Sequence, residues 1–121
     1  RDMTARLGPA ILVAEMAPKG IEIAFGLIRD QQFGPYLMVA SGGLWIEVLK
    51  DRTVAMAPLD RERARRLIDN LRIRPLLDGK RGQAPADIEA LIQAVLALSA
   101  IAEELGALIA EMDVNPLIVS P

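Results

Sequence analysis

Short apolar runs in the first half of the chain alternate with small or polar residues, which is the two-residue period of β-strands. The strands predicted from this pattern cover residues 11–16, 21–30, 36–40 and 53–57, with a further partly alternating run at 44–49. Pro18-Lys19-Gly20 is a turn signal between the first two, so a hairpin is predicted there. In the second strand Glu22, Ala24 and Gly26 share one face, and this face leaves room above the sheet.

From Asp60 onward the apolar spacing changes to three and four residues, which predicts an amphipathic helix with Asp60 as its N-cap. A second helix is predicted from Pro85, as the first helical residue, to Gly106. At 1.5 Å per residue it would be about 30 Å long, enough to cover one face of the sheet. Residues 108–114 return to a strand pattern that Pro116 ends or kinks. The sequence thus predicts one α+β unit, a mostly antiparallel sheet covered by helices that include one long helix.

Composition excludes several classes of function. The net charge of −2 gives no field that would attract nucleic acid or an anionic membrane, so neither partner is expected. Apolar residues make up 52% of the chain, but no run is long enough to span a membrane. With no Cys and no His, the chain cannot supply a thiolate, a histidine metal ligand or a phosphohistidine, and a reducing cytoplasm is the expected location.

The segment EMDVNPLIV carries the most informative chemistry, since strand alternation points Glu111, Asp113 and Asn115 to one face. Mg²⁺ prefers a few carboxylate and carbonyl oxygens supplemented by substrate phosphates, and an Asp-x-Asn strand presents two such ligands. A metal site is therefore one interpretation. The alternative from spacing alone is a solvated strand face that ends in an Asn-Pro turn.

Two carboxylates and a glycine pair are further candidates. Glu15 follows an apolar run and precedes Met16 and Ala17, where it could meet an adenine or a ribose. Glu22 stands on the small-residue face, and Ser41-Gly42-Gly43 could let backbone N–H groups approach a phosphate. The alternatives are surface carboxylates and an ordinary turn, because the Gly-Gly segment lacks the Gly-Lys-Ser/Thr of a P-loop.

Five segments in order make a more specific pattern, and together they resemble the ATP-grasp domain of the ADP-forming (NDP-forming) acyl-CoA synthetases. They are AILVAEMAPKGIEIAFGLIRDQQFGP, SGGLWIEVLKD, APLDRERARRLI, RGQAPADIEALI and EMDVNPLIV. The succinyl-CoA synthetase β subunits look similar at the first and last of these. The resemblance implies that residues 1–121 are the carboxyl-terminal portion of an ATP-grasp domain, cut at both ends.

The resemblance also implies roles for individual residues. Glu15, Met16 and Ala17 match the hinge that meets adenine and ribose, and Glu22 matches a neighbouring acidic nucleotide contact. Asn115 matches the magnesium-binding Asn of the Asn-Pro-Leu motif, with Asp113 beside it. A loop near the transferred phosphate is matched by Gly42, Gly43 and Glu47. Glu47 is the catalytic candidate.

The implied reaction is reversible conversion of acyl-CoA, ADP and phosphate into acid, CoA and ATP, with Mg²⁺ and ATP or ADP bound. CoA, the acyl substrate and the phosphohistidine would be held by domains outside these residues, so the fragment alone is expected to be inactive and to self-associate through exposed apolar surface. Two alternatives stay open. One is the regulatory ATP-grasp-like domain of a protein lysine acetyltransferase, and the other is a structural or assembly module that binds no nucleotide.

Overall fold

The computed structural model describes residues 12–43, 49–79 and 84–121, together with residues 6, 8, 10 and 82. Four strands and three helices lie within these ranges. In chain order they are β1 (Ile21–Asp30), β2 (Gly34–Ser41), β3 (Arg52–Met56), α1 (Arg61–Asp69), α2 (Arg74–Leu77), α3 (Ile88–Leu105) and β4 (Glu111–Val119). None of these helices combines the length and the apolar character that crossing a membrane would need.

The sheet is entirely antiparallel and has the order β3-β2-β1-β4. Its centre is the β1–β2 hairpin, whose turn forms because the Asp30 carboxylate accepts hydrogen bonds from the N–H groups of Gln32, at 2.8 Å, and Phe33, at 2.9 Å. The predicted hairpin between residues 11–16 and β1 is wrong. Residues 12–18 have no regular structure, and the strands beside β1 are β2 and β4.

The last strand was predicted over residues 108–114 with an end or kink at Pro116. β4 instead begins at Glu111 and continues through Pro116 to Val119. The pairing of β4 with β1 shifts between Ile23 and Phe25, where Asn115 and Pro116 together oppose a single residue of β1. This is a β-bulge. Pro116 is tolerated because a bulge leaves a residue out of the ladder and because β4 is the outer strand of the described sheet.

The helices begin at polar caps. Asp60 caps α1 as predicted, its carboxylate accepting from the Arg63 N–H at 2.7 Å. The long helix α3 begins at Ile88 and not at Pro85, because the cap is Asp87, which accepts from the Ala90 N–H at 2.8 Å. Residues 74–77 form the short helix α2, which was not predicted.

The helices cover one face of the sheet. Side chains of β1 and β2 on this face share a buried cluster with those of α1 and α3, and the central members are Ile23, Phe25, Leu27, Leu37, Val39, Ala64, Ile68, Leu91, Ile92 and Val95. Ala24 and Ala40 are also buried but point to the opposite face and lie outside that cluster. We call this second side the open face. The predicted α+β class, with a mostly antiparallel sheet and one long helix, is confirmed.

Candidate nucleotide and metal site

A row of register partners crosses the open face from one edge of the sheet to the other. Arg52 of β3 pairs with Ala40 of β2, which pairs with Ala24 of β1. Ala24 lies opposite the bulge that contains Asn115. Directly paired residues of antiparallel strands project to the same face. The row thus has a cationic side chain at one end, an amide at the other and two alanines between them.

A cavity of about 200 Å³ lies over this row, and we call it the open-face pocket. Ala24 and Ala40 form the floor of this pocket and leave space above the sheet, because their side chains are only methyl groups. The pocket is lined by Ala24, Met38, Ala40, Lys50, Asp51, Arg52, Asp113 and Asn115. The structure thus brings Asp113 and Asn115 together, as strand alternation predicts. Glu111 shares the face but lies outside the pocket.

The donors in this pocket suit a divalent cation that is shared with phosphate. Asp113 and Asn115 offer one carboxylate and one amide oxygen, which are ligands of the hard kind that Mg²⁺ prefers. Across the described ranges, no group of three or more His, Cys, Asp or Glu side chains could hold a metal. Mg²⁺ commonly takes one or two protein ligands and completes its shell with water and substrate phosphates. The residues therefore fit Mg²⁺ as the companion of a phosphorylated ligand.

Glu22 and the glycine pair form a second cluster at the start of β1. The Gly42 N–H donates to the Glu22 carbonyl oxygen at 2.7 Å, and a Cβ at Gly42 would lie 2.7 Å from the Glu22 carbonyl carbon. Gly43 has a φ of 66°, and a Cβ there would collide with the Glu22 carboxylate. Only glycine permits this approach. Glu22, Gly42 and Gly43 line a cavity of about 360 Å³ together with Leu76.

Two of the three predicted hinge residues line a cavity, and the third does not. Met16 and Ala17 line a cavity of about 690 Å³ that also includes Glu22 and Leu76, so this space adjoins the one at the glycine pair. Glu15 is exposed and lines neither cavity. Glu47 lies outside the described residues. Five of the six predicted nucleotide contacts thus line two adjoining cavities that share Glu22, and the sixth, Glu15, lines neither.

Three further residues of the open-face pocket were not predicted from the sequence: Lys50, Asp51 and Arg52. The Asp51 carboxylate is buried and accepts hydrogen bonds from the N–H groups of Arg72, at 2.8 Å, and Ile73, at 2.9 Å. Its neighbour Lys50 has a φ of 47°, in the left-handed region that few side chains adopt. Three successive charged residues at the start of a strand were the available signal, but their spacing does not tell which of them faces a pocket.

Residues 4–121 match the family described as ATP-grasp domain, and the chain belongs to that family. A relative of known activity is the β subunit of an ADP-forming acetate–CoA ligase II from Pyrococcus furiosus, which is 39% identical over 109 residues, 90% of this chain and 46% of the relative. The ADP-forming 4-hydroxybutyrate–CoA ligase of Nitrosopumilus maritimus is 36% identical over 90% of this chain and 16% of its own length.

Solved structures give the same assignment. Acetyl-coenzyme A synthetase 1 of Candidatus Korarchaeum cryptofilum, in complex with coenzyme A and Mg-AMPPCP, superposes with a TM-score of 0.82 and 42% identity. The match covers 87% of this chain and 49% of that one. PH1788 of Pyrococcus horikoshii superposes with a TM-score of 0.81 at 36% identity, over 87% of this chain and 44% of that one. The chain therefore spans about half or less of the proteins it resembles.

Proposed function

We propose that this chain is the part of an ADP-forming acyl-CoA synthetase that holds the Mg²⁺-bound phosphates of ATP or ADP. The observation that carries the proposal is the open-face pocket, in which Asp113 and Asn115 meet over a floor of alanines. The named activities of the relatives and the Mg-nucleotide of the Korarchaeum structure support it.

The two clusters on the sheet suit the two ends of one nucleotide. Glu22 and Gly26 share a face of β1, and Gly26 pairs with Asp113. Four residues of strand separate them by about 13 Å, a span comparable to an extended nucleotide from its base to its last phosphate. Met16, Ala17 and Glu22 would then contact the base and the ribose, and Asp113 and Asn115 would face the phosphates. Because Gly42 and Gly43 contact Glu22, we assign them to the base and ribose end. We keep Glu47 as the catalytic candidate of the loop near the transferred phosphate, and we assign Glu15 to the outer hinge.

Asp113 and Asn115 would hold Mg²⁺, and the ion would neutralise charge on the phosphates. What the chain itself supplies is position, since side chains on paired strands are fixed by the ladder and lose little freedom on binding. In the proposed reaction, acyl-CoA, ADP and phosphate give acid, CoA and ATP. The phosphohistidine intermediate belongs to a residue elsewhere in the protein, because none of these 121 residues is His.

The experiment is an assay of the full-length protein that carries this chain, with acyl-CoA, ADP and phosphate as substrates and ATP as the measured product. Asp113→Asn and Asn115→Ala are expected to lower kcat/KM by at least about tenfold. Substituting even a residue that only hydrogen-bonds to a metal ligand typically lowers activity by about that factor. Glu111→Gln is the matched control on the same strand and face. Wild-type turnover in both pocket variants would overturn the assignment. Tight Mg·ADP binding without any ATP formation would favour a regulatory domain.

The isolated chain of residues 1–121 is expected to bind ATP weakly. The open-face pocket lies on one side of a single sheet, and a ligand site normally encloses most of its ligand's surface. Calorimetry with the isolated chain and Mg·ATP tests this expectation. A dissociation constant in the low micromolar range would show that these residues form a complete site by themselves.

A further inference from the structure

The open-face pocket has an excess of positive charge on the side that faces away from the metal-ligand candidates. Lys50, Asp51 and Arg52 line this side, and Asp113 is the acidic residue on the opposite side. Asp51, the acidic group on the side of the two cations, directs its oxygens to the N–H groups of Arg72 and Ile73. Within the described ranges, neither Lys50 nor Arg52 is part of an ion pair. The two cations and two carboxylates of the lining balance, so a divalent metal ion beside Asp113 would make the pocket net positive, which favours an anionic ligand.

The backbone that carries the two cations is held in place. The Asp51 carbonyl oxygen accepts a hydrogen bond from the Ser41 N–H at 3.0 Å, which ties this segment to the end of β2. The Asp51 carboxylate ties the same segment to residues 72 and 73. Lys50, in its left-handed conformation, is the direct neighbour of this fixed residue.

The span across the row suits a phosphate group. Arg52 and the bulge at Asn115 are separated by three strand spacings, or about 14 Å between backbones. The arginine and asparagine side chains extend over the alanines from opposite ends. The remaining gap has room for a metal ion and a phosphate, and a guanidinium is well shaped to bind two phosphate oxygens at once.

We infer that Arg52, assisted by Lys50, binds the terminal phosphate of the nucleotide from the β3 side while Asp113 and Asn115 hold the metal from the β4 side. This inference rests on the proposed function and adds the residues that recognise the phosphate. The ligand class is a metal-bound nucleoside diphosphate or triphosphate. A monophosphate carries less negative charge and is too short to place a terminal phosphate beside Arg52.

The test is calorimetry on the full-length protein with Mg·ADP, AMP and inorganic phosphate. Arg52→Ala is expected to weaken Mg·ADP binding by about tenfold or more, because it removes charge-assisted hydrogen bonds. AMP affinity should not change. Arg52→Lys should lose less than Arg52→Ala, and Lys50→Asn should weaken Mg·ADP without straining the backbone, since Asn tolerates the left-handed region. Arg65→Ala, an exposed arginine of α1 on the helix side, is the control.

The outcomes separate the inference from the proposed function. A wild-type protein that does not bind Mg·ADP overturns both. A wild-type protein that binds Mg·ADP, with Arg52→Ala equal to it, overturns only the role of Arg52. Equal losses for AMP and Mg·ADP also overturn it, because the contact would then not be with the terminal phosphate. Weakened phosphate binding with unchanged Mg·ADP binding would assign Arg52 to free phosphate and contradict a nucleotide contact.

Discussion

The Asp51 carboxylate accepts a hydrogen bond from the Ile73 N–H at 2.9 Å, which joins the start of β3 to the segment before α2. Its second oxygen accepts from the Arg72 N–H at 2.8 Å, and the side chain is buried. A buried carboxylate is stable only when its oxygens are satisfied, and backbone N–H groups do this here. One residue therefore fixes both the 71–74 turn and the cationic side of the open-face pocket.

Asp51→Ala is expected to lower the free energy of unfolding by about 2–4 kcal/mol, because two backbone N–H groups lose their acceptor in a buried place. Urea unfolding of both proteins gives the value. Asp69→Ala is the control, since Asp69 is an exposed partner of Arg74 and should cost less than about 1 kcal/mol. If the two variants lose the same amount, the Asp51 hydrogen bonds contribute no more than a surface ion pair.

Acid should remove the contribution of Asp30 to stability. Hydrogen bonds from the N–H groups of Phe33 and Gln32 lower the pKa of Asp30 from its ordinary value of 3.8. A lowered pKa in the folded state means that the carboxylate stabilises the fold above its unfolded pKa, and that this stabilisation is lost as the pH falls through the folded pKa. Asp30→Asn should therefore be less stable than wild type near neutral pH and equal to it in strong acid. Urea unfolding across this range measures the difference, and a constant gap would rule out the charge as its origin.

Gly43 should be more sensitive to substitution than other glycines with positive φ. Gly43→Ala is expected to cost about 1–3 kcal/mol from its φ, and more because the new Cβ meets the Glu22 carboxylate. Gly34→Ala is the matched control, since its φ is 84° but nothing lies within 4 Å of its Cβ position. The excess cost at Gly43 should disappear in a Glu22→Ala background, as a double-mutant cycle in unfolding free energy would show. An excess that survives there would mean that Glu22 is not the obstacle.

The isolated chain is expected to self-associate through β4. This strand is the outer one of the described sheet, and Val114 on it is 36% exposed. An outer strand offers unpaired N–H and C=O groups that another copy can satisfy, although the bulge at Pro116 should confine the pairing to residues 111–114. Light scattering at several concentrations should give dimers or larger species. A chain that stays monomeric at about millimolar concentration would mean that the bulge and the acidic side chains protect this edge.

Local periodicity was sufficient to predict parts of the fold and of the site, although it also predicted a strand over residues 11–16, where residues 12–16 have no regular structure. Alternation placed Asp113 and Asn115 on one face, and a capping pattern placed the start of α1 at Asp60. It was insufficient where distant neighbours decide. Pro116 is tolerated within β4 because of the bulge and the edge position, and neither can be read from the Pro itself. Asp51 is buried because N–H groups 21 and 22 residues away need an acceptor.

The central claim is that Asp113 and Asn115 couple Mg²⁺ to nucleotide binding in the full-length protein. The direct measurement is calorimetry of ADP with and without Mg²⁺, in wild type and in Asn115→Ala. Wild type should bind ADP more tightly with Mg²⁺. The variant should lose this gain and keep the Mg²⁺-independent affinity, because the base and ribose contacts around Glu22 remain. If Mg²⁺ strengthens ADP binding equally in both proteins, Asn115 is not a metal ligand and the open-face pocket is not the phosphate site.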